Sequence, residues 1–256
     1  MSDMKRKNFF IVVGFGLLFV VVVLSIGLFG FTKFKQVMYP PAPPMPPIVS
    51  QTAEEILAEL EFQLKEKAPQ ILTNLQPGLP NEKIHELEQQ AGISLPDEIK
   101  ALYRWHNGFK HEKINPDGFR VAGPMPGDYF LPLEDALNLP TLLSNQVSNA
   151  TATQRAAFNF FAGYTKSWIT LFDDGAGDGY FFDPKRKPTD GAVFYHFMED
   201  GGYVFFPSAK NLYAGMVKCY QQGVFIWKEE NDGASLHEDF DAAAKIWSEF
   251  GVNSAP

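Results

Sequence analysis

One cysteine, Cys219, is present in 256 residues. A single thiol forms no internal disulfide and supplies no Cys-x-x-Cys redox or zinc motif. Cations are in the minority, 22 Lys and Arg against 30 Asp and Glu. There is no Gly-x-Ser-x-Gly, no His-Glu-x-x-His and no Walker Gly-Lys-Ser/Thr, which removes common hydrolase, metalloprotease and nucleotide-binding signatures. The five histidines fall at 85, 106, 111, 196 and 237, in different predicted elements. His106 and His111–Glu112 flank one predicted helix end, but a third zinc ligand is missing there. No catalytic residue and no cofactor follow from this inventory.

Charge is absent altogether from residues 9–31, FFIVVGFGLLFVVVVLSIGLFGF. As a helix these residues span roughly 34 Å, enough for a bilayer core of about 30 Å. A cleaved signal has a shorter apolar region and an Ala-x-Ala-like site, and GLFGFTKFK offers none. No cysteine follows to carry a lipid, so a retained transmembrane helix is expected. Lys5, Arg6 and Lys7 precede it, and Lys33 and Lys35 follow it. The positive-inside rule then puts residues 1–8 in the cytoplasm and the globular part on the outer, periplasmic or extracytoplasmic, side. Residues 32–50 form a linker whose YPPAPPMPP favours extended polyproline II, a semi-rigid spacer. The first 47 residues hold five basic and one acidic residue, net +4, so the remainder carries −12 against −8 for the whole chain. Such a domain repels nucleic acid and attracts a cationic protein.

The globular part is expected over residues 51–256. Ile56, Leu57, Leu60 and Leu64 make one helical stripe in 51–67, which Pro69 ends. PQILTNLQPGLP reads as a connector. A helix over 81–91 has Asn81 as its cap and Ile84, Leu87 and Ala91 inward. In LPDEIKALYRWHNG, residues 95–108, Pro96 suits a first helical turn and Asn107–Gly108 reads as the stop, with His106 at helical spacing. Residues 112–133 read as loops with short strands, and 134–161 as broken helix. WITLF (168–172), YFFD (180–183), AVFYHF (192–197) and YVFF (203–206) read as successive antiparallel strands. The first of these is apolar enough to be covered on both faces. Ser208 caps a helix to about 222 that turns Leu212, Met216, Cys219 and Tyr220 inward. VFIW (224–227) is a strand, and a last helix places Phe240, Ala243, Ile246, Trp247 and Phe250 inward, ending at Gly251. The fold class is α+β, a mostly antiparallel sheet flanked by helices.

FDDGAGDGYFFDP, residues 172–184, is the densest acidic run. An EF-hand count from Asp174 puts Ala176 at position three and Lys185 at position twelve, so that pattern fails. Carboxylates here repel a phosphate. A divalent-metal-dependent hydrolase built on Asp173, Asp174 and Asp178 stays an alternative, without an assigned metal ligand set. The turn reading accounts for each residue. Gly175, Gly177 and Gly179 permit positive φ, and Asp174 and Asp178 accept backbone N–H bonds. The same three aspartates are then a candidate binding surface.

LPDEIKALYRWHNG resembles the helix signature of the SUKH superfamily, the Smi/Knr cell-wall-assembly regulator type. WITLFDDGAGDGYFFDP resembles its second signature, and GAVFYHFMEDGGYVFFPSAKNLYAGMVKCYQQGVF the strands and helix that follow. The three blocks cover about residues 82–226, in order. The matching positions are Leu95, Pro96, Asn107, Gly108, Trp168, Asp174, Gly177, Asp178, Asp183 and Pro184, and they read as fold determinants. The resemblance implies an α+β domain without a catalytic residue. Bacterial members are interpreted as immunity proteins that bind toxins, and yeast relatives as regulators of wall assembly. The expected function is therefore a membrane-tethered module that neutralises a toxin with a basic surface by stoichiometric binding, with an envelope or wall-assembly scaffold as the alternative.

Overall fold

A computed structural model of the chain describes residues 45–109, 123–138, 168–175, 178–184, 191–196, 203–230 and 233–254. Helix α1 (Ala53–Lys67) starts at a capping box. Thr52 Oγ1 accepts from Glu55 N–H at 3.2 Å, and Glu55 Oε2 accepts from Thr52 N–H at 2.9 Å. Its predicted stripe of Ile56, Leu57, Leu60 and Leu64 is buried.

The stretch read as a connector is structured. Pro69 does not merely end α1; it opens helix α2 (Pro69–Asn74), where its missing N–H costs nothing, and strand β1 (Leu75–Pro77) follows. In α3 (Asn81–Ala91), Pro80 is the cap, Asn81 is already helical and caps nothing, and Ala91 is exposed. Ile84 and Leu87 face inward as expected.

Helix α4 (Asp97–Trp105) has Pro96 as its cap, one position earlier than predicted, and buries Ile99, Leu102 and Tyr103. Leu95 is buried just before it. Its N–H donates to Glu88 Oε1 at 2.6 Å, and Lys100 Nζ lies 3.1 Å from the same oxygen. Burial alone would raise the Glu88 carboxyl, but these donors outweigh it and hold it below the ordinary range. The helix stops at Trp105, before Asn107–Gly108, because His106 has extended backbone and begins strand β2 (His106–Phe109). The Asn-Gly pair does something else. Asn107 Oδ1 accepts from Leu133 N–H at 2.9 Å, and a Cβ on Gly108 (φ 73°) would meet Pro132 N at 2.3 Å. The pair therefore seats β2 against the segment at 131–134. Strands β1 and β2 pair antiparallel.

The main sheet comprises β3 (Tyr129–Phe130), β4 (Ile169–Asp173), β5 (Gly179–Phe182), β6 (Val193–His196) and β7 (Tyr203–Phe206). Helix α5 (Ala209–Gln221) follows, then a separate antiparallel hairpin of β8 (Phe225–Glu230) and β9 (Gly233–Glu238). Helix α6 (Phe240–Phe250) and β10 (Val252–Ser254) close the chain. The sheet order is β10–β7–β6–β5–β4–β3, antiparallel at every step. Ile169, Thr170, Leu171 and Phe172 are all buried, so β4 is covered on both faces. Phe181, Ala192, Phe194 and Phe205 form a small cluster of their own, joined by Trp168, whose ring meets Phe194 edge-on at 4.7 Å.

Nine of the 13 residues of α5 are buried, including Leu212, Met216, Cys219 and Tyr220. Burial pushes the Cys219 thiol up to about 12, which makes it an inert core group. A Cβ on Gly215 would lie 2.4 Å from the Trp247 ring, so only glycine lets α6 approach this closely. Ala243 and Ile246 face inward as expected, and Trp247 and Phe250 are partly buried. Phe240 does not: it is 78 % exposed, at the first position of the helix, where the stripe has not yet met the core.

The described residues lie within one compact unit, Pro44–Pro256, which includes the end of the proline-rich linker. Asn211 fastens that end. Its Oδ1 accepts from Val49 N–H at 3.2 Å, and its Nδ2 donates to Pro47 O at 3.0 Å and Phe250 O at 3.2 Å. The expected membrane helix, residues 9–31, lies outside the described residues. Among those described, no helix is long and apolar enough to cross a membrane.

Asn211→Ala should lower the stability of the folded chain by about 2–4 kcal/mol, three net hydrogen bonds at a buried site. Urea unfolding checks this, and a change below about 0.5 kcal/mol would show that the amide is not a structural tie.

Candidate functional site

Register across the β4–β5 hairpin sets the acidic run. Asp173 pairs with Gly179 and Phe172 with Tyr180, so the residues between must reverse the chain. Asp174 N–H donates to Asp178 O at 3.1 Å, and Asp178 N–H donates to Asp174 Oδ1 at 3.0 Å. The second bond is the expected aspartate-stabilised turn. Gly175 takes φ 81°. Gly179 does not take positive φ; it is a strand residue, and a Cβ there would meet Phe172 O at 2.4 Å. It is needed for close approach instead. Gly177 lies outside the described residues.

Two further carboxylates converge on this corner. Asp128 comes from a tight turn closed by the Met125–Asp128 bridge. Tyr220 O–H donates to Pro124 O at 3.0 Å and pins that turn to α5. Asp128 is only 5 % exposed, and its Oδ1 is sealed from solvent without a hydrogen-bond partner among the described residues. Burial, then Asp174, Asp173, Glu238 and Asp178, push its carboxyl well above the ordinary range. Glu238, the last residue of β9, is also raised by burial, opposed by a hydrogen bond from Trp247. At Asp173, burial and then the neighbouring Asp174 charge push the carboxyl up to about 6, against a hydrogen bond from Gly175 N–H.

Asp128 and Glu238 line an open cavity of about 340 Å³, together with Tyr180, Tyr195, Phe240 and Trp247. Among the described residues that line it there is no Lys, Arg or His. The exposed ring of Phe240 is part of this wall.

Asp173, Asp174 and Asp178 thus lie at one hairpin turn, and Asp128 and Glu238 join them from segments that gave no signal. PMPGD reads as a turn, and nothing in it marks Asp128 as buried. Glu238 ends a strand that apolar patterning did not reveal. The motif residues Leu95, Pro96, Asn107 and Gly108 serve the α3–α4–β2 framework instead. Trp168 belongs to the second aromatic cluster. Asp183 and Pro184 follow β5, at the opposite end of that strand from the acidic turn. His106 is also structural: Nδ1 lies 2.8 Å from Gln76 O and Nε2 3.1 Å from Glu61 Oε2. His111 and Glu112 lie outside the described residues. Among the described residues, no group of three or more His, Cys, Asp or Glu is arranged to hold a metal ion.

A sequence model of the SMI1 / KNR4 family (SUKH-1) matches residues 78–214, more than half of the 256-residue chain. The match contains α4, β4, the acidic turn and the start of α5. It leaves out Glu238 and Phe240, so one wall of the cavity comes from outside the matched segment. No curated protein matches the chain.

A carboxyl raised by folding favours the folded state at low pH and loses that contribution as pH rises through its folded value. For Asp173 the loss runs from about pH 4 to just above its folded value of about 6. Asp173→Asn, which keeps the acceptor for Gly175 N–H, should therefore raise Tm by a few degrees at most at pH 7.5 and leave it unchanged at pH 4. Melting curves at the two pH values check this, and an equal shift at both would contradict the assigned cause.

Proposed function

The chain belongs to the SMI1 / KNR4 family (SUKH-1), and we propose that it is a membrane-tethered, non-catalytic binding module that neutralises a protein toxin by covering its working surface. Family membership supports the coarse part, a module that acts through a protein partner. The observation that carries the rest is the acidic corner. Asp128, Asp173, Asp174, Asp178 and Glu238 interact there electrostatically, and burial raises three of them. An acidic surface attracts a cationic protein and orients it on approach, so it acts mainly on the association rate. Stoichiometric blocking needs no reacting group, only a surface that stays bound.

The uncharged run at 9–31 supports the tether, and the basic residues before it support an outer position for the domain. A tether raises the local concentration of the binder where a toxin arrives. The tie of Pro47 and Val49 to Asn211 makes the end of the linker part of the domain.

Capture with the tagged full chain, against the products of adjacent genes, should retain one basic protein in a one-to-one complex whose association slows as salt rises. Deletion should sensitise cells to a sibling strain that makes that protein. Retention of none, with unchanged sensitivity, would overturn the proposal; a wall-stress or shape phenotype without a toxin would favour the scaffold reading instead. Protease added to spheroplasts should cut the domain, and full protection would reverse the assigned orientation.

A further inference from the structure

The cavity beside the acidic turn holds a contradiction in its chemistry. Asp128 is almost fully buried, yet its Oδ1 has no hydrogen-bond partner among the described residues. An unmet buried acceptor is costly, on the order of 1–3 kcal/mol, and folded proteins carry few of them. Glu238 stands on the same cavity, partly satisfied by Trp247. The remaining wall is aromatic: Tyr180, Tyr195, Phe240 and Trp247. The volume of about 340 Å³ falls at the low end of the range for true ligand cavities, about 300–1,000 Å³.

We infer that this cavity receives an arginine side chain of the protein partner, its guanidinium held by the Asp128 and Glu238 carboxylates and flanked by the rings of Phe240 and Trp247.

Three features select this occupant. The group must donate hydrogen bonds, because the cavity wall includes two carboxyl side chains, Asp128 and Glu238, whose ionised forms only accept. It must be cationic, because the carboxylates around the cavity face no described Lys, Arg or His on its wall. Burial and four neighbouring carboxylates raise the Asp128 carboxyl well above its ordinary range, and a guanidinium beside it supplies the opposite charge that favours the ionised form. It should also be flat, because a planar guanidinium offers a fork of donors to two carboxylates while lying against aromatic faces, and a compact ammonium does neither as well. Phe240 indicates that the cation comes from a macromolecule. A phenylalanine 78 % exposed at the mouth of an acidic cavity is a ring that a partner surface would cover. Aromatic anchors ringing a desolvated charge pair are the usual composition of an interface centre.

This inference rests on the binding-module reading and names the contact through which that module would act. Its test needs no partner. The full chain in detergent is titrated with acetyl-Gly-Arg-Gly-amide, followed by calorimetry, beside the same peptide carrying citrulline or lysine. Citrulline keeps the shape of arginine without its charge. The arginine peptide should saturate with Kd on the order of 1 mM, the citrulline peptide should bind at least about tenfold more weakly, and the lysine peptide should fall between. Asp128→Asn and Phe240→Ala should each weaken the arginine peptide several-fold; Phe240 is exposed, so its truncation leaves the fold intact. Asp241→Asn, on the exposed first turn of α6, should change nothing. No saturation, equal binding of the citrulline peptide, or wild-type binding by both Asp128→Asn and Phe240→Ala would overturn the inference. A lysine peptide binding as tightly as arginine would overturn the guanidinium assignment. Any of these would leave the binding-module reading standing, whereas failure to retain a partner in cells would remove that reading and leave the cavity's chemistry as measured.

Discussion

The structure depends on one constraint: α5 is buried along most of its length, so every polar group it carries must find a partner inside the protein. Ser208 caps its first turn at Lys210 N–H and donates from its own hydroxyl to Glu98 Oε2 at 2.7 Å, which fastens α4 to the helix start. Asn211 gathers the linker end and the last residue of α6. Tyr213 O–H donates to Glu98 O. Tyr220 donates to Pro124 O and accepts at its own carbonyl from Lys67 Nζ, so the helix end holds both α1 and the turn that carries Asp128. Each bond is worth on the order of 1 kcal/mol, but together they decide where the surrounding elements stand.

The acidic corner is the part of the molecule that works against this economy. Elsewhere a buried charge is matched, as at Glu88 with Leu95 N–H and Lys100 Nζ. At the corner, carboxylates are crowded together and Asp128 is left with an unmet oxygen. Crowded carboxylates of this kind, unlike the matched charge at Glu88, make this corner the candidate for a role other than stability. The family fold supplies the framework; the site lies in particular side chains, two of which, Glu238 and Phe240, stand outside the segment that defines the family.

Much of this was legible beforehand, for identifiable reasons. Helices α1, α4 and α5 carry strong stripes and sharp caps, and strands β4 to β7 are aromatic runs bounded by turns. The acidic turn was recognisable because Asp174 and the glycines have local roles. What the sequence does not show is set by tertiary contact. Gly108 looked like a helix stop and is a packing requirement against Pro132. Phe240 fits a helical stripe, but periodicity does not say where the core ends. Asp128 sits in a Pro-Gly turn whose sequence says nothing of burial. Strands β3, β9 and β10 are short or polar, and their pairing is decided by neighbours far along the chain.

The central claim is that partner binding occurs at the acidic corner, with Phe240 at its centre. Photo-crosslinking from a benzoyl-phenylalanine in place of Phe240, beside one in place of the exposed Phe62 on α1, tests it most directly in cells producing both proteins. The account predicts a single adduct from position 240, on a partner peptide that contains arginine, and none from position 62. A complex that forms normally but crosslinks only from position 62 would contradict it.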